Sequence, residues 1–221
     1  MKANGSLRAV LFDFDGTLAD TAPDLGGALN RLRGQHALAP LPLEAVRPYA
    51  SSGARGLLRV GFGLKPGDST YDEMKLAFLA QYDAALCVET RLFPGIAELL
   101  EQLEARNIAW GIVTNKATRF TERLVRLLGL EQRAGCVVCG DTTPHMKPHP
   151  APLLAAAERL ALAPGQCGYV GDDLRDTQAA HAAGMASIAV EYGYHGTEHG
   201  DPRSWNADAV IARPIDLIGC L

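Results

Sequence analysis

A chain of 221 residues with 48% hydrophobic content can bury a full core and one sizeable insertion, which excludes a disordered polypeptide. The net charge of −4 is small and charge runs are absent, so neither a nucleic-acid footprint nor a polybasic membrane patch is expected, and the expected partner is a small molecule. Nowhere do about 18 uncharged apolar residues run together, and Met1–Ser6 holds no apolar stretch of signal-peptide length, so the expectation is a cytoplasmic protein, monomer or homodimer, with no membrane contact.

The first apolar run, Arg8–Phe14, reads as a strand. It leads into Leu11-Phe12-Asp13-Phe14-Asp15-Gly16-Thr17-Leu18 and so delivers two carboxylates to its carboxyl end, where open α/β sheets bind ligands. An isolated D-x-D-G equally suits a turn that caps a helix. From Asp20 to about Cys87 the chain shows helical spacing and turns but no convincing strand. Helices are expected over Asp20–Arg33, Leu43–Ala50, Ala54–Val60 and Tyr71–Leu86, joined by the turn-rich Gly61–Ser69 and closed before Phe93-Pro94-Gly95. Residues 20–87 therefore read as an inserted all-helical domain. The turn over Ser51–Gly56 offers hydroxyls and a cation, Arg55, although it also suits a capped helix start with a solvated arginine.

Strands then alternate with helices. Ile108–Thr114, Cys136–Cys139, Cys167–Gly171 and Ala186–Val190 have strand character, and Gly95–Arg106, Arg119–Leu128, Ala151–Leu160 and Leu174–Ala183 have helical apolar spacing. That order predicts an α/β fold, a three-layer parallel sheet covered by helices, formed by residues 7–19 and 88–221.

The second apolar strand ends in a hydroxyl followed by Asn115 and Lys116, a common strand-to-helix turn; Lys116 either reaches a substrate or faces solvent. Tyr169-Val170-Gly171-Asp172-Asp173-Leu174-Arg175-Asp176 puts three acids just past a buried strand, where like charges destabilise one another unless a cation lies among them. His145 and His149 flank prolines without a third ligand at metal spacing and read as loop residues. The five cysteines are an odd number scattered through apolar segments; Cys136 and Cys139, with two valines between them, read as reduced core thiols rather than a zinc or redox pair.

Four motifs, D-F-D-G-T-L, V-T-N-K, K-P-x-P at His145–Pro150 and G-D-D-L-R-D, resemble the haloacid dehalogenase superfamily, specifically its phosphatases with a helical cap inserted after the first strand. The resemblance covers the chain from Arg8 onward and implies a Rossmann-like core. It implies Asp13 as nucleophile and Asp15 as general acid and base. Thr114 and the backbone N–H of Asn115 would hold phosphate, and Lys147 would pair with both Asp13 and phosphate. Mg²⁺ is implied, on the Asp13 side chain, the Asp15 backbone carbonyl and Asp172. Asp176 is expected outside the direct ligands, and Asp173 to orient that site or cap the following helix. The implied partner is a small phosphorylated metabolite, read by cap residues Ser52 and Arg55.

Within the superfamily the chain resembles the phosphoglycolate phosphatase family. S-x-G-A-R in the cap, Arg119-Phe120, Tyr192-Gly193-Tyr194, Pro202 and Trp205-Asn206-Ala207-Asp208 rank N-acetylmuramic acid 6-phosphate slightly ahead of 2-phosphoglycolate as substrate. A β-phosphoglucomutase-like mutase shares all four motifs, and a catalytically silent binding module is the alternative of another class. Neither a P-loop nor a G-x-G-x-x-G fingerprint is present.

Overall fold

The computed structural model describes residues 7–196 and 199–221; Met1–Ser6, read above for a signal-type stretch, lies outside them. In chain order the elements are β1 (Ala9–Phe12), β2 (Ala19–Asp20), α1 (Ala22–Gln35), α2 (Leu43–Val46), α3 (Gly53–Phe62), α4 (Tyr71–Ala84), β3 (Arg91–Leu92), α5 (Ile96–Ala105), β4 (Ala109–Val113), α6 (Thr118–Leu127), β5 (Val137–Val138), α7 (Ala151–Arg159), β6 (Cys167–Gly171), α8 (Leu174–Ala183), β7 (Ala186–Val190) and β8 (Ala209–Ile211).

Six strands form one parallel sheet in the order β5-β4-β1-β6-β7-β8. A strand buried on both faces cannot carry the apolar–polar alternation of a half-exposed one, and β1, at the centre, is apolar and buried at every position. Its period of two still sorts side chains between layers. Val10 and Phe12 join a core with α1 and α5, whereas Ala9 and Leu11 join a second core containing Leu153 and Ala156 of α7 and Ala179 and Ala180 of α8. The result is a helix–sheet–helix sandwich that brings the carboxyl ends of β4, β1 and β6 side by side, with registers Phe12↔Ile112 and Phe12↔Val170.

Between β2 and β3 the described chain is helical. It leaves and returns through a two-stranded antiparallel ribbon in which Ala19 pairs with Leu92 and Asp20 with Arg91. Leu25, Leu29, Leu57, Leu58, Phe78 and Tyr82 bury the apolar faces of α1, α3 and α4 against one another and continue into the sheet's first core. Asp24 fixes the two ends together: its carboxylate accepts from the Glu89 and Thr90 N–H groups, each at 2.9 Å, and from the Thr90 hydroxyl at 2.6 Å.

Three local expectations are corrected. The helix expected over Leu43–Ala50 is α at Leu43–Val46 and 3₁₀ over Arg47–Ser52; Pro48 has no N–H for the α ladder, and the turn tightens. The strand expected to reach Phe14 ends at Phe12, although the Asp13 N–H still donates to Val170 O at 2.9 Å. The ribbon and β8 are additional strands, two or three residues long, set by pairing rather than by an apolar run. All five cysteines are free, and burial pushes the Cys136 thiol up to about 11. No helix among the described residues is long and apolar enough to cross a membrane.

Asp24→Ala strands two backbone donors and a buried hydroxyl where the insertion rejoins the sheet. It is expected to destabilise the fold by about 3 kcal/mol in urea unfolding, and Asp24→Asn by less, because one acceptor oxygen remains. A loss under about 0.5 kcal/mol for the alanine variant would show that the ends are held elsewhere.

Candidate active site

The carboxyl ends of three adjacent strands converge on one cluster of charges. After β1 the chain turns sharply: the Phe14 N–H donates to Asp13 Oδ1 at 2.7 Å, and Phe14 O accepts from the Leu18 and Ala19 N–H groups. Gly16 makes this turn at φ +85°, and a Cβ there would stand 2.2 Å from Asp172 Oδ2, so a side chain would collide with the neighbouring strand's first acid. After β6, Asp172 is fully buried and accepts from the Thr17 hydroxyl at 3.1 Å, the Tyr194 N–H at 2.9 Å and the Ser51 hydroxyl at 3.2 Å.

Lys147 neutralises this cluster. Its Nζ lies 2.9 Å from Asp13 Oδ1 and 2.8 Å from Asp176 Oδ1, and it donates to the Tyr169 hydroxyl at 2.6 Å. Tyr169 in turn donates to Val113 O at 2.7 Å. Burial works against the ammonium, but Asp13 and Asp176 outweigh it and raise the Lys147 pKa, so it stays charged. Burial pushes Asp176 up to about 7, with Lys147 opposing and Asp13 and Asp173 adding to the rise. Burial, then repulsion from Asp13 and Asp176, holds Asp172 well above the usual carboxylate range.

Carboxylate oxygens of Asp13, Asp172 and Asp176 lie within 4.8 Å of one another, the one such group of possible metal ligands among the described residues. Hard oxygen donors and uncompensated negative charge at Asp172 fit a divalent cation. Asp176 is already engaged by Lys147 and by the Asp173 N–H at 3.0 Å. Asp173 caps α8: its Oδ1 accepts from the Arg175 N–H at 2.9 Å and pairs with the Arg175 guanidinium at 2.8 Å. His145 and His149 stack on each other, 4.3 Å between centroids, and belong to no such group.

After β4, Thr114 is buried and its hydroxyl accepts from the Lys116 N–H at 3.2 Å. The Asn115 amide exchanges two hydrogen bonds with the backbone of Lys147, at 3.0 and 2.9 Å, and so fixes that loop. Its side chain is thereby committed to Lys147.

Lys116, left open between substrate and solvent by the sequence, points inward. Its Nζ reaches Asp15 at 2.9 and 3.2 Å and lies 4.8 Å from the Tyr82 ring centroid. Asp15 also accepts from the Thr21 hydroxyl. The sequence placed Lys116 beside the turn expected to hold phosphate but held no sign of its pairing with Asp15, about a hundred positions earlier.

A cavity of about 630 Å³ opens over this cluster. It is lined by Asp13, Asp15, Thr114, Asn115, Lys116 and Lys147, by Ser51, Ser52, Arg55, Tyr71, Lys75, Phe78 and Tyr82 of the insertion, and by Arg119 and Phe120 from α6. A second cavity, about 310 Å³ and lined by Leu7, His181, Met185 and Asp208, contains none of the candidate residues.

The description haloacid dehalogenase-like hydrolase matches residues 10–190. The chain is 40% identical to the N-acetylmuramic acid 6-phosphate phosphatase of Pseudomonas putida over 211 residues, 96% of this chain and 94% of that one. It is 42% identical to the phosphoglycolate phosphatase of Xanthomonas campestris pv. campestris over 210 residues, 95% and 94% of the two chains. Among solved structures, that of a predicted phosphoglycolate phosphatase from Haemophilus somnus superposes with a TM-score of 0.85 at 27% identity, covering 98% of this chain and 99% of that one.

The raised Asp172 pKa sets a pH test. Below about pH 4 the group is neutral folded and unfolded and costs nothing; as pH rises the unfolded chain releases its proton first, and stability falls until the folded pKa is passed. A cation offsets the charge formed. In chelator-treated protein, added Mg²⁺ is expected to raise Tm by several degrees at about pH 8 and by much less at about pH 5, and Asp172→Asn is expected to remove the difference. Equal shifts at both pH values, or an unchanged difference in the variant, would contradict a cation at this carboxylate.

Proposed function

The chain belongs to the haloacid dehalogenase-like hydrolase family and is a phosphatase, and on that premise we propose that Asp13 attacks the phosphorus of a small phosphorylated metabolite while the helical insertion, residues 20–87, caps the site and reads the leaving group. The observation that carries this reading is that Asp13, Lys147 and Thr114 line one cavity together with side chains of the insertion.

In the first step an Asp13 oxygen bonds to phosphorus as the bond to the leaving oxygen breaks, and Asp15 gives that oxygen a proton. Lys147 screens the repulsion between the Asp13 carboxylate and the phosphate dianion, and the Thr114 hydroxyl with the Asn115 N–H steadies a non-bridging oxygen. In the second step Asp15 takes a proton from water as the water oxygen bonds to phosphorus, and the Asp13–phosphorus bond breaks to release inorganic phosphate. Asp13, Asp172 and the Asp15 carbonyl would hold Mg²⁺, whose chemistry there is charge neutralisation of phosphate and nucleophile. Lys116 and Thr21 keep the Asp15 carboxylate aimed at the leaving oxygen. The setting is cytoplasmic.

The cavity's lining supports a reading of substrate size and charge. A volume of about 630 Å³ suits a sugar-sized ligand better than a two-carbon one. Arg55, Lys75 and Arg119 come from three different helices, and among the described residues none has an ion-pair partner. Apolar walls of Tyr71, Phe78 and Phe120 with cations at the rim suit a ring bearing a second anionic group. An acidic phosphosugar such as N-acetylmuramic acid 6-phosphate therefore ranks ahead of 2-phosphoglycolate.

Steady-state assays of wild type and Arg55→Ala against N-acetylmuramic acid 6-phosphate, 2-phosphoglycolate and p-nitrophenyl phosphate test the proposal. The acidic sugar should give the highest wild-type kcat/KM. Arg55→Ala should lower that value about ten- to a hundred-fold while leaving p-nitrophenyl phosphate within about two-fold, because only the former loses a charge-assisted hydrogen bond. Preference for 2-phosphoglycolate, or equal losses on both substrates, would overturn the substrate reading.

A further inference from the structure

Beyond β7 the chain turns back against the acid cluster through Tyr192, Gly193 and Tyr194. Gly193 packs on the site itself: a Cβ there would stand 2.2 Å from Asp172 Cβ and 2.6 Å from Gly16 O. Only glycine lets the backbone approach so closely. That approach puts the Tyr194 N–H 2.9 Å from Asp172 Oδ2 and sends the ring, 5% exposed, toward the root of the insertion.

The hydroxyl of Tyr194 uses its full capacity there. It accepts from the Thr21 N–H at 2.7 Å and the Ala22 N–H at 2.9 Å, and it donates to Asp20 Oδ1 at 2.8 Å. One proton and two lone pairs are all that a phenol has. The contact fills a specific gap, because the first N–H groups of a helix have no partner within it, and an N-cap threonine ordinarily accepts from one of them. Thr21 is the N-cap of α1, yet its side chain makes no capping bond and is instead committed to Asp15. Tyr194, distant in sequence, accepts from the N–H groups of Thr21 and Ala22 at that helix start.

The same corner holds the insertion's 3₁₀ turn. Arg47 grips Asp20 through two bonds of 2.8 and 2.9 Å, with its guanidinium 5.6 Å from the Tyr194 ring centroid. In that turn the Ser51 hydroxyl donates to Asp172 and the Ser51 carbonyl accepts from Arg175 at 2.8 Å. Tyr194 thus touches the root of the insertion with its hydroxyl and the site's most buried carboxylate with its backbone.

We propose that Tyr194 is a positioning residue for the reaction: its hydroxyl clasps the root of the insertion to the Asp172 side of the site and so holds the insertion over the reacting groups. This rests on the phosphatase reading of the site. Loss of the hydroxyl leaves the Asp172 contact and the Arg47 pair of Asp20 in place while releasing the Thr21 and Ala22 N–H groups.

The test compares Tyr194→Phe with wild type, using p-nitrophenyl phosphate turnover with Mg²⁺ well below Tm, and amide exchange across residues 20–35. Tyr194→Phe is expected to speed exchange in the first turn of α1 and to lower kcat about ten-fold with a smaller change in KM. Tyr192→Phe is the control, because the Tyr192 hydroxyl is buried and without a hydrogen-bond partner among the described residues; it should leave both readouts unchanged. Faster exchange or lower Tm with kcat intact would make Tyr194 a stabilising cap only and overturn the proposal, as would an equal loss in Tyr192→Phe. A wild type that fails to turn over p-nitrophenyl phosphate would instead refute the phosphatase reading, while unchanged exchange in Tyr194→Phe would refute the clasp by itself.

Discussion

The Lys147 ammonium, set between the carboxylates of Asp13 and Asp176, is the interaction on which the rest of the site depends. A parallel sheet that ends in acids gathers like charge in a dehydrated place, which is unfavourable by several kcal/mol per ion unless the charges are paired and hydrogen-bonded. The surrounding structure meets that requirement piece by piece. Lys147 sits between two of the acids, Tyr169 accepts another of its protons, and the Asn115 amide fixes the backbone that carries it. Asp172 has hydrogen-bond donors but no cation of its own, and its raised pKa records that imbalance. The geometry that leaves this charge unbalanced is also the geometry that suits a divalent ion.

The insertion is tied into the same electrostatics. Its 3₁₀ turn reaches Asp172 through Ser51 and Arg175 through the Ser51 carbonyl, while its root meets Asp20, Thr21 and Tyr194. Cover and chemistry therefore share residues. A helical layer that only buried apolar surface would leave the acids to be satisfied by water, whereas here cations and aromatic side chains of the insertion line one cavity together with the acids. Thr21 belongs to both: its hydroxyl holds Asp15, and its N–H donates to the hydroxyl of Tyr194.

Much of this was legible in the sequence because it is local. The five core strands show as apolar runs, and the acids at their carboxyl ends follow from where those runs stop. What the sequence hid is set by contacts between distant residues. Lys116 looks the same in one dimension whether it meets solvent or Asp15, and Tyr194 reads as part of a turn until its hydroxyl is seen at the start of α1. The ribbon between Ala19–Asp20 and Arg91–Leu92 and the strand Ala209–Ile211 are too short for periodicity to mark. Pro48 was visible, but the 3₁₀ turn it favours becomes meaningful only because Ser51 then faces Asp172.

The central claim is that Asp13 forms the covalent bond to phosphorus. It is tested most directly by rapid acid quench of a single turnover with excess enzyme, followed by borohydride, which reduces an acyl phosphate to the alcohol, and by peptide mass spectrometry. The account predicts homoserine at position 13 alone, appearing with substrate and decaying as phosphate is released. Label at Asp15, Asp172 or Asp176, or phosphate release in a single turnover with no label on the chain at any time, would contradict it.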